Sequence, residues 1–445
     1  MQKKTTSLLV LTPHFNPGLE KQDLGLVKLL RSRGYVVCHA AITDNYPGKN
    51  FPGFSEKSKL DEEFLSVGTL WVDSSSNLRR YIRDCDVLVV MESKWASSAS
   101  DYAKKKNKLV IQYKAISSGD FYDCNADFYC VPSEGYLKYQ SINFGKDFLP
   151  EQYRITGVMQ YDAAATLDRT KDAKDRFFNK YELNPNKATV LWLPDSPANH
   201  NEYYKSIYVG VCKIATESGF NVLIKGHPWD YIHRKSHSTY RGLSNKSSWE
   251  ILTPTVAVCD PEDLYEAIYY SDVGVAVMST VFMEFPLFRK PMLLVNRHEW
   301  VLSRSPGLLD KVNLSLDKER IPGLHKLDVH KKIIDVLEAG ALGTGGVTSP
   351  AYYRNPQLEF VGMDINLDEL GYVLQNKVYD GIDERIYDAY VENWCYKNDG
   401  ESCKRVANAV DNYVANNLFW IRSLRSSRTR YMDRIIRRLS SYVGS

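Results

Sequence analysis

Short runs of consecutive apolar residues alternate along this chain with stretches whose apolar positions recur every three to four residues, the pattern of buried strands followed by amphipathic helices. Ser7 to Leu11 is such a run. It ends in Thr12-Pro13-His14-Phe15-Asn16-Pro17-Gly18, and Asp23 to Arg33 then has helical spacing. Gly34 closes that helix and Tyr35 to Cys38 starts a second strand, as helix C-caps and parallel sheets require. Val87–Val90, Leu109–Ile111 and Phe128–Val131 continue the series, with helices ending near Lys108 and starting near Ser133. Residues 1–167 are therefore expected to form one Rossmann-like, doubly wound α/β domain.

A charged stretch from Asp168 to Lys187 reads as helix plus connector, and a second series begins at Ala188–Leu193. It predicts a helix over Tyr203–Ser218, strands at Asn221–Lys225 and Val256–Cys259, and a helix over Pro261–Ser271. A strand at Val273–Val277, a helix over Val281–Arg289 and a strand at Met292–Val295 follow. Residues 188–390 thus make a second Rossmann-like domain, and residues 391–445 a helical, arginine-rich C-terminal segment. From Leu418 to Leu439 an apolar stripe alternates with arginines such as Arg422, Arg425 and Arg434. Such a helix suits an anionic membrane surface or packs back on the first domain.

Composition narrows the picture by exclusion. The net charge of +3 over 445 residues carries no chain-wide nucleic-acid signature, so nucleic acid is not an expected partner. No apolar run approaches the roughly 18 residues of a membrane span, and Met1 to Ser7 leads into a strand and not a signal core. The expected location is cytoplasmic, peripheral to the inner face of the membrane if the tail binds lipid. The eight cysteines contain no C-x-x-C pair and read as reduced, buried thiols.

Chemistry concentrates on loops that follow strands. Ile224-Lys225-Gly226-His227-Pro228 places an ammonium and an imidazole at a strand end, where both can meet a phosphate or where His227 can merely cap a backbone group. Met278-Ser279-Thr280 opens a helix that carries Glu284 one turn in. Hydroxyls and N–H groups at a helix start hold anions, although an ordinary Ser/Thr N-cap has the same sequence. Asp195 follows the strand that ends at Leu193 and is either an acid/base group or a turn residue. His227, His233 and His237 lie near one another, but no H-E-x-x-H pattern accompanies them, so no metal site is expected. Gly340–Gly346 lacks the Lys-Ser/Thr ending of a phosphate-binding loop.

The order Lys225-Gly226-His227-Pro228, Asp263-Leu264-Tyr265, Ser271-Asp272, Ser279-Thr280-Val281-Phe282-Met283-Glu284-Phe285, Lys290-Pro291 resembles the donor half of teichoic-acid (CDP-glycerol) glycerophosphotransferases. UDP-N-acetylglucosamine 2-epimerases and many GT-B glycosyltransferases share a looser version. Ile155-Thr156-Gly157-Val158, with Asp162 beyond it, is similar to the group's interdomain turn. The resemblance spans roughly residues 110–295. It implies the GT-B architecture, two Rossmann-like domains facing a cleft, and assigns the donor diphosphate to His227, Ser279 and Thr280 and the ribose to Glu284, with Lys225 added as a phosphate contact by its place after the strand. The group's His-Gly pair has no counterpart after Gln112-Tyr113-Lys114, so the catalytic assignments here are His14 as base, Asp195 as its alternative, and His227.

The expected function is transfer of a sugar or polyol phosphate from a nucleotide-activated donor to a glycan or lipid-linked glycan acceptor at the cell envelope. No cofactor and no metal is required, because cationic and helix-end groups can stabilise the leaving diphosphate. The competing readings are a Kdo transferase using CMP-Kdo, a nucleotide-sugar 2-epimerase, a non-catalytic nucleotide-binding scaffold and a nucleic-acid glycosyltransferase.

Overall fold

The computed structural model describes residues 6–13, 17–42, 62–72, 75–91, 94–114, 124–144, 147–194, 202–226, 256–260, 263–277, 279–296, 362–381 and 384–417. It divides into two compact units, residues 1–162 with 399–445, and residues 163–398. Each is built on its own parallel sheet.

In the first unit the strands are β1 (Ser7–Pro13), β2 (Val36–Ile42), β3 (Leu70–Val72), β4 (Val87–Met91), β5 (Leu109–Tyr113), β6 (Phe128–Val131) and β7 (Tyr153–Ile155). They lie in the order β3-β2-β1-β4-β5-β6-β7, every neighbouring pair parallel. The strands are near-continuous apolar runs because helices cover both faces. Along β1, Leu8 and Val10 enter one core and Leu9 and Leu11 the other. Strands β3 and β7, three residues each, carry too few apolar positions to stand out in the sequence.

The first of these cores is completed by the helix at 402–417, whose Val406, Ala407, Ala409, Val410 and Val414 are buried with Leu8, Val27 and Ile111. Sequence-local reasoning sees this segment only as a C-terminal helix. The fold fixes it with specific bonds. The Asp162 carboxylate accepts the N–H groups of Ser402 (2.9 Å) and Cys403 (2.8 Å), a negative charge at a helix N-terminus, where the dipole favours it. Arg405 Nε donates to the Thr156 carbonyl at 2.8 Å, and the following residue, Gly157, has φ of 78°, a turn that glycine adopts without strain. Tyr413 stacks on Phe128 with ring centroids 4.4 Å apart and donates to the Asp127 carbonyl at 3.2 Å. The arginine-rich stretch after residue 417 lies outside the described residues.

The second unit contains β8 (Thr189–Leu193), β9 (Asn221–Ile224), β10 (Val256–Val258), β11 (Val273–Ala276), β12 (Met292–Val295) and β13 (Met363–Ile365). Their order is β10-β9-β8-β11-β12-β13, again all parallel. Trp192, Val190, Ile224 and Val275 pack against the helix Glu202–Glu217 through Ile207, Tyr208 and Val211. One expected element differs in kind. Residues Thr280–Phe288 form a 3₁₀ helix of nine residues and not an α-helix. In an α-helix the ring of Pro286 would clash with the carbonyl four residues back, and residues 281–288 are buried throughout, so the proline and the packing set the winding.

Three strand starts share one device. Asp86, Asp127 and Asp272 each immediately precede a strand. Their carboxylates accept the N–H of Ser7 (3.1 Å), Val110 (2.8 Å) and Thr189 (2.7 Å) at the start of the neighbouring strand. These bonds close the amino edges of both sheets. The carboxyl edges are left to the loops in which the candidate chemistry sits.

Candidate functional site

In a doubly wound sheet, ligands bind at the carboxyl ends of the two strands where the strand order reverses. In the second unit the chain winds outward from β8 through β9 to β10, then returns to place β11 on the other side of β8. The switch point therefore lies at β8 and β11. Lys225 follows β9, next to β8; Ser279, Thr280 and Glu284 follow β11.

The backbone N–H of Lys225 donates to the Trp192 carbonyl at 2.9 Å, so the residue continues the sheet by one position. Its side chain is 8% exposed. Glu284 is 4% exposed, and burial pushes its carboxyl up to about 8 while the positive charge of Lys225 pulls it down. An ammonium and a carboxyl that the sequence separates by 59 positions, the difference of their numbers, thus act on each other across the end of β8. Ser279 caps the 3₁₀ helix, its hydroxyl oxygen accepting the Val281 N–H at 3.4 Å. That oxygen keeps its own proton to donate. Thr280 is the first residue of the same helix. Gly274 on β11 lies under Phe285 of this helix, so closely that a Cβ there would stand 2.2 Å from the ring. Only glycine lets the helix sit this low on the sheet.

Cys259 lies beside the same strand ends, its N–H donating to the Ile224 carbonyl at 2.7 Å. Burial pushes its thiol up to about 12, so it stays protonated and is not a nucleophile in this state. All eight cysteines are free thiols, six of them buried. Among the described residues no group of three or more His, Cys, Asp or Glu is arranged to hold a metal ion.

Other residues of the sequence motif have partners that hold the fold. Asp263 accepts from Lys180 Nζ at 2.5 Å and from Tyr181 Oη at 2.6 Å. Lys180 also reaches Asp260 at 3.0 Å. The Ser271 hydroxyl closes the preceding helix on Ile268, and Asp272 ties β11 to β8. His14, Asp195 and His227 lie outside the described residues, as do Met278, His233, His237 and residues 340–346. The strands from which His14 and Asp195 follow, β1 and β8, end at Pro13 and Leu193.

No family model matches the chain, and no curated protein matches it. Solved structures do. S. aureus MnaA, solved with UDP, superposes with a TM-score of 0.56 at 14% identity, covering 92% of this chain and 97% of that one. The wall teichoic acid polymerase TagF, a variant soaked with CDPG, gives 0.53 at 12% identity, covering 92% and 90%. A glycosyltransferase from Rickettsia africae gives 0.50 at 13% identity, covering 93% and 100%. At such identities the likeness shows the fold. It is α/β, of the GT-B type that the motif resemblance implied, two parallel-sheet units with a helical C-terminus.

Proposed function

We propose that the protein is a transferase that moves a sugar or polyol phosphate from a nucleotide-activated donor to a glycan or lipid-linked glycan acceptor. The buried Lys225–Glu284 pair at the switch point supports this reading most. A donor offers each group a matching ligand, diphosphate oxygens for the ammonium and ribose hydroxyls for the carboxyl. His227, Ser279 and Thr280 complete the diphosphate grip. Positive and helix-end groups stabilise the leaving nucleotide, and no metal is required, so EDTA should leave turnover unchanged. His14 is the base that takes the acceptor's proton, with Asp195 the alternative, and the arginine-rich tail brings the enzyme to anionic lipid.

A thermal-shift screen with CMP, CDP, UDP, GDP and dTDP tests the donor site, since a ligand that binds the native state alone raises stability by mass action. One nucleotide should stabilise the wild type well above the rest and leave Lys225→Met unmoved. Equal, negligible shifts for all five would remove the reading. His14→Ala should lose most of kcat while calorimetric donor binding stays near wild type. If Asp195→Ala abolishes turnover and His14→Ala does not, the base is Asp195. Epimerised or hydrolysed sugar formed without any acceptor would make the protein an epimerase instead. Liposome binding that survives deletion of residues 418–445 would remove the role given to the tail.

A further inference from the structure

The 3₁₀ helix Thr280–Phe288 carries Glu284 and is capped by Ser279, so its placement decides the geometry of the candidate donor site. Runs of 3₁₀ helix longer than three or four residues are uncommon because their hydrogen bonds are poorly aligned. This one has nine residues and is held from outside. The Tyr390 hydroxyl, on a fully buried side chain, donates to the Met283 carbonyl at 3.0 Å. Asn398 Nδ2 donates to the Leu287 carbonyl at 3.0 Å. Arg289, which ends the helix with φ 55° and ψ 39°, pairs with Glu384 at 2.8 Å and Asp388 at 2.5 Å.

All these partners come from one segment, residues 384–398, and that segment is itself irregular. The helix Glu384–Tyr390 widens into a π turn over Val391–Cys395, and Tyr396 follows at φ 68° and ψ −63°. Such turns recur at functional sites, and a non-glycine residue in that backbone region stores strain that its surroundings must hold. The π turn buries Trp394 and Cys395. Burial raises the Cys395 thiol, and the negative charge of Glu284 raises it further, which places Cys395 in the electrostatic neighbourhood of Glu284.

We propose that Tyr390 is a positioning residue for the nucleotide site: by holding the carbonyl of Met283, the residue before Glu284, it fixes how deep the Glu284 carboxyl sits and how Ser279 faces a ligand. Asn398 does the same from the far end of the helix. This rests on the donor-site reading above.

The test uses the full chain with Tyr390→Phe, which keeps the ring and removes the hydroxyl, and Asn398→Ala as a second variant. Three quantities are measured. The first is the pH midpoint of the Glu284 carboxyl in ligand-free protein, by infrared difference against the same background with Glu284→Gln. The second is the calorimetric Kd for UDP and CDP, and the third is Tm. Loss of a hydrogen bond worth about 1 kcal/mol should weaken nucleotide binding about fivefold and move the Glu284 midpoint, with kcat at saturating donor retained. A lowered Tm with Kd and midpoint both unchanged in the two variants would make the bonds structural only and overturn the proposal. If wild type binds no nucleotide, the donor-site reading falls, and the infrared midpoint alone then decides whether Tyr390 positions Glu284. Should Tyr390→Phe fail to fold, Asn398→Ala carries the same comparison.

Discussion

At the scale of single residues, the polar groups inside the first core are as informative as the apolar ones. Thr12, Asp23 and His39 are buried to within 1% of complete. Thr12 Oγ1 donates its one proton to Asp23 at 2.5 Å, so His39 Nε2, at 3.1 Å, donates to Thr12, and Thr69 donates to His39 Nδ1 at 2.8 Å. Burial, with the Arg31 charge adding to it, lowers His39 from the ordinary 6.5 to about 4, so the ring is neutral at pH 7 and, with its one proton on Nε2, accepts from Thr69 at Nδ1. The unfolded chain therefore binds this proton first as the pH falls. Stability from His39 is complete above pH 6.5 and is lost toward pH 4, in all about 3 kcal/mol at roughly 1.4 kcal/mol per unit. Denaturant melts of His39→Gln across that window should show a shallower pH slope than wild type; an identical slope would contradict the assignment.

Glu284 runs the other way. Its carboxyl, raised to about 8 from an ordinary 4.5, keeps its proton in the folded protein after the unfolded chain has lost it, so its contribution is complete below pH 4.5 and declines as the pH rises through 8. Glu284→Gln should match wild type in Tm at pH 4.5 and exceed it at pH 8, while losing nucleotide affinity at both. The proposed role of the Glu284 carboxyl in holding ribose is thus separable from its cost to the fold.

At the scale of elements, the strands are placed by more than apolar content. The carboxylates of Asp86, Asp127 and Asp272 each bind an N–H of the first or second residue of an adjacent strand, which fixes register at the amino edge. Thr189 is 1% exposed, so Asp272→Ala leaves a buried N–H without its partner, at a cost of about 1–3 kcal/mol. Asp272→Asn, which retains an acceptor, should recover most of the loss in chemical denaturation. The sequence motif Ser271-Asp272 is explained by this bond, and Asp263 by its bonds to Lys180 and Tyr181. Neither needs a ligand to account for it.

At the scale of the whole molecule, the two units depend differently on chain order. The second keeps its core within residues 163–398, while the first borrows the helix at 402–417. A chain ending at residue 398 should lose the folding transition of the first unit, seen as a missing phase in calorimetry and as aggregation. Tyr413→Ala is a milder probe. It removes the stack on Phe128 and the bond to Asp127, for about 1–3 kcal/mol by their separate worths, and should lower only that unit's transition. Among the described residues no helix is long and apolar enough to cross a membrane.

The sequence by itself determined the longer strands of both units, though not the three-residue β3, β7 and β13, because strands buried on two faces must be apolar throughout and helices between them must be amphipathic. It also singled out Lys225, Ser279 and Glu284, since each stands just after a strand in a loop or helix start, where side chains meet ligands. What only the tertiary structure decided is which of these act on one another and what holds them. The effect of Lys225 on Glu284 follows from β11 crossing back to lie beside β8. The 3₁₀ winding of 280–288 comes from Pro286 and the packing on Gly274. The bonds from Tyr390 and Asn398 join residues about a hundred positions apart. Periodicity reports which face of a segment is buried and is silent about the partner, because the partner is chosen by the path of the chain through space.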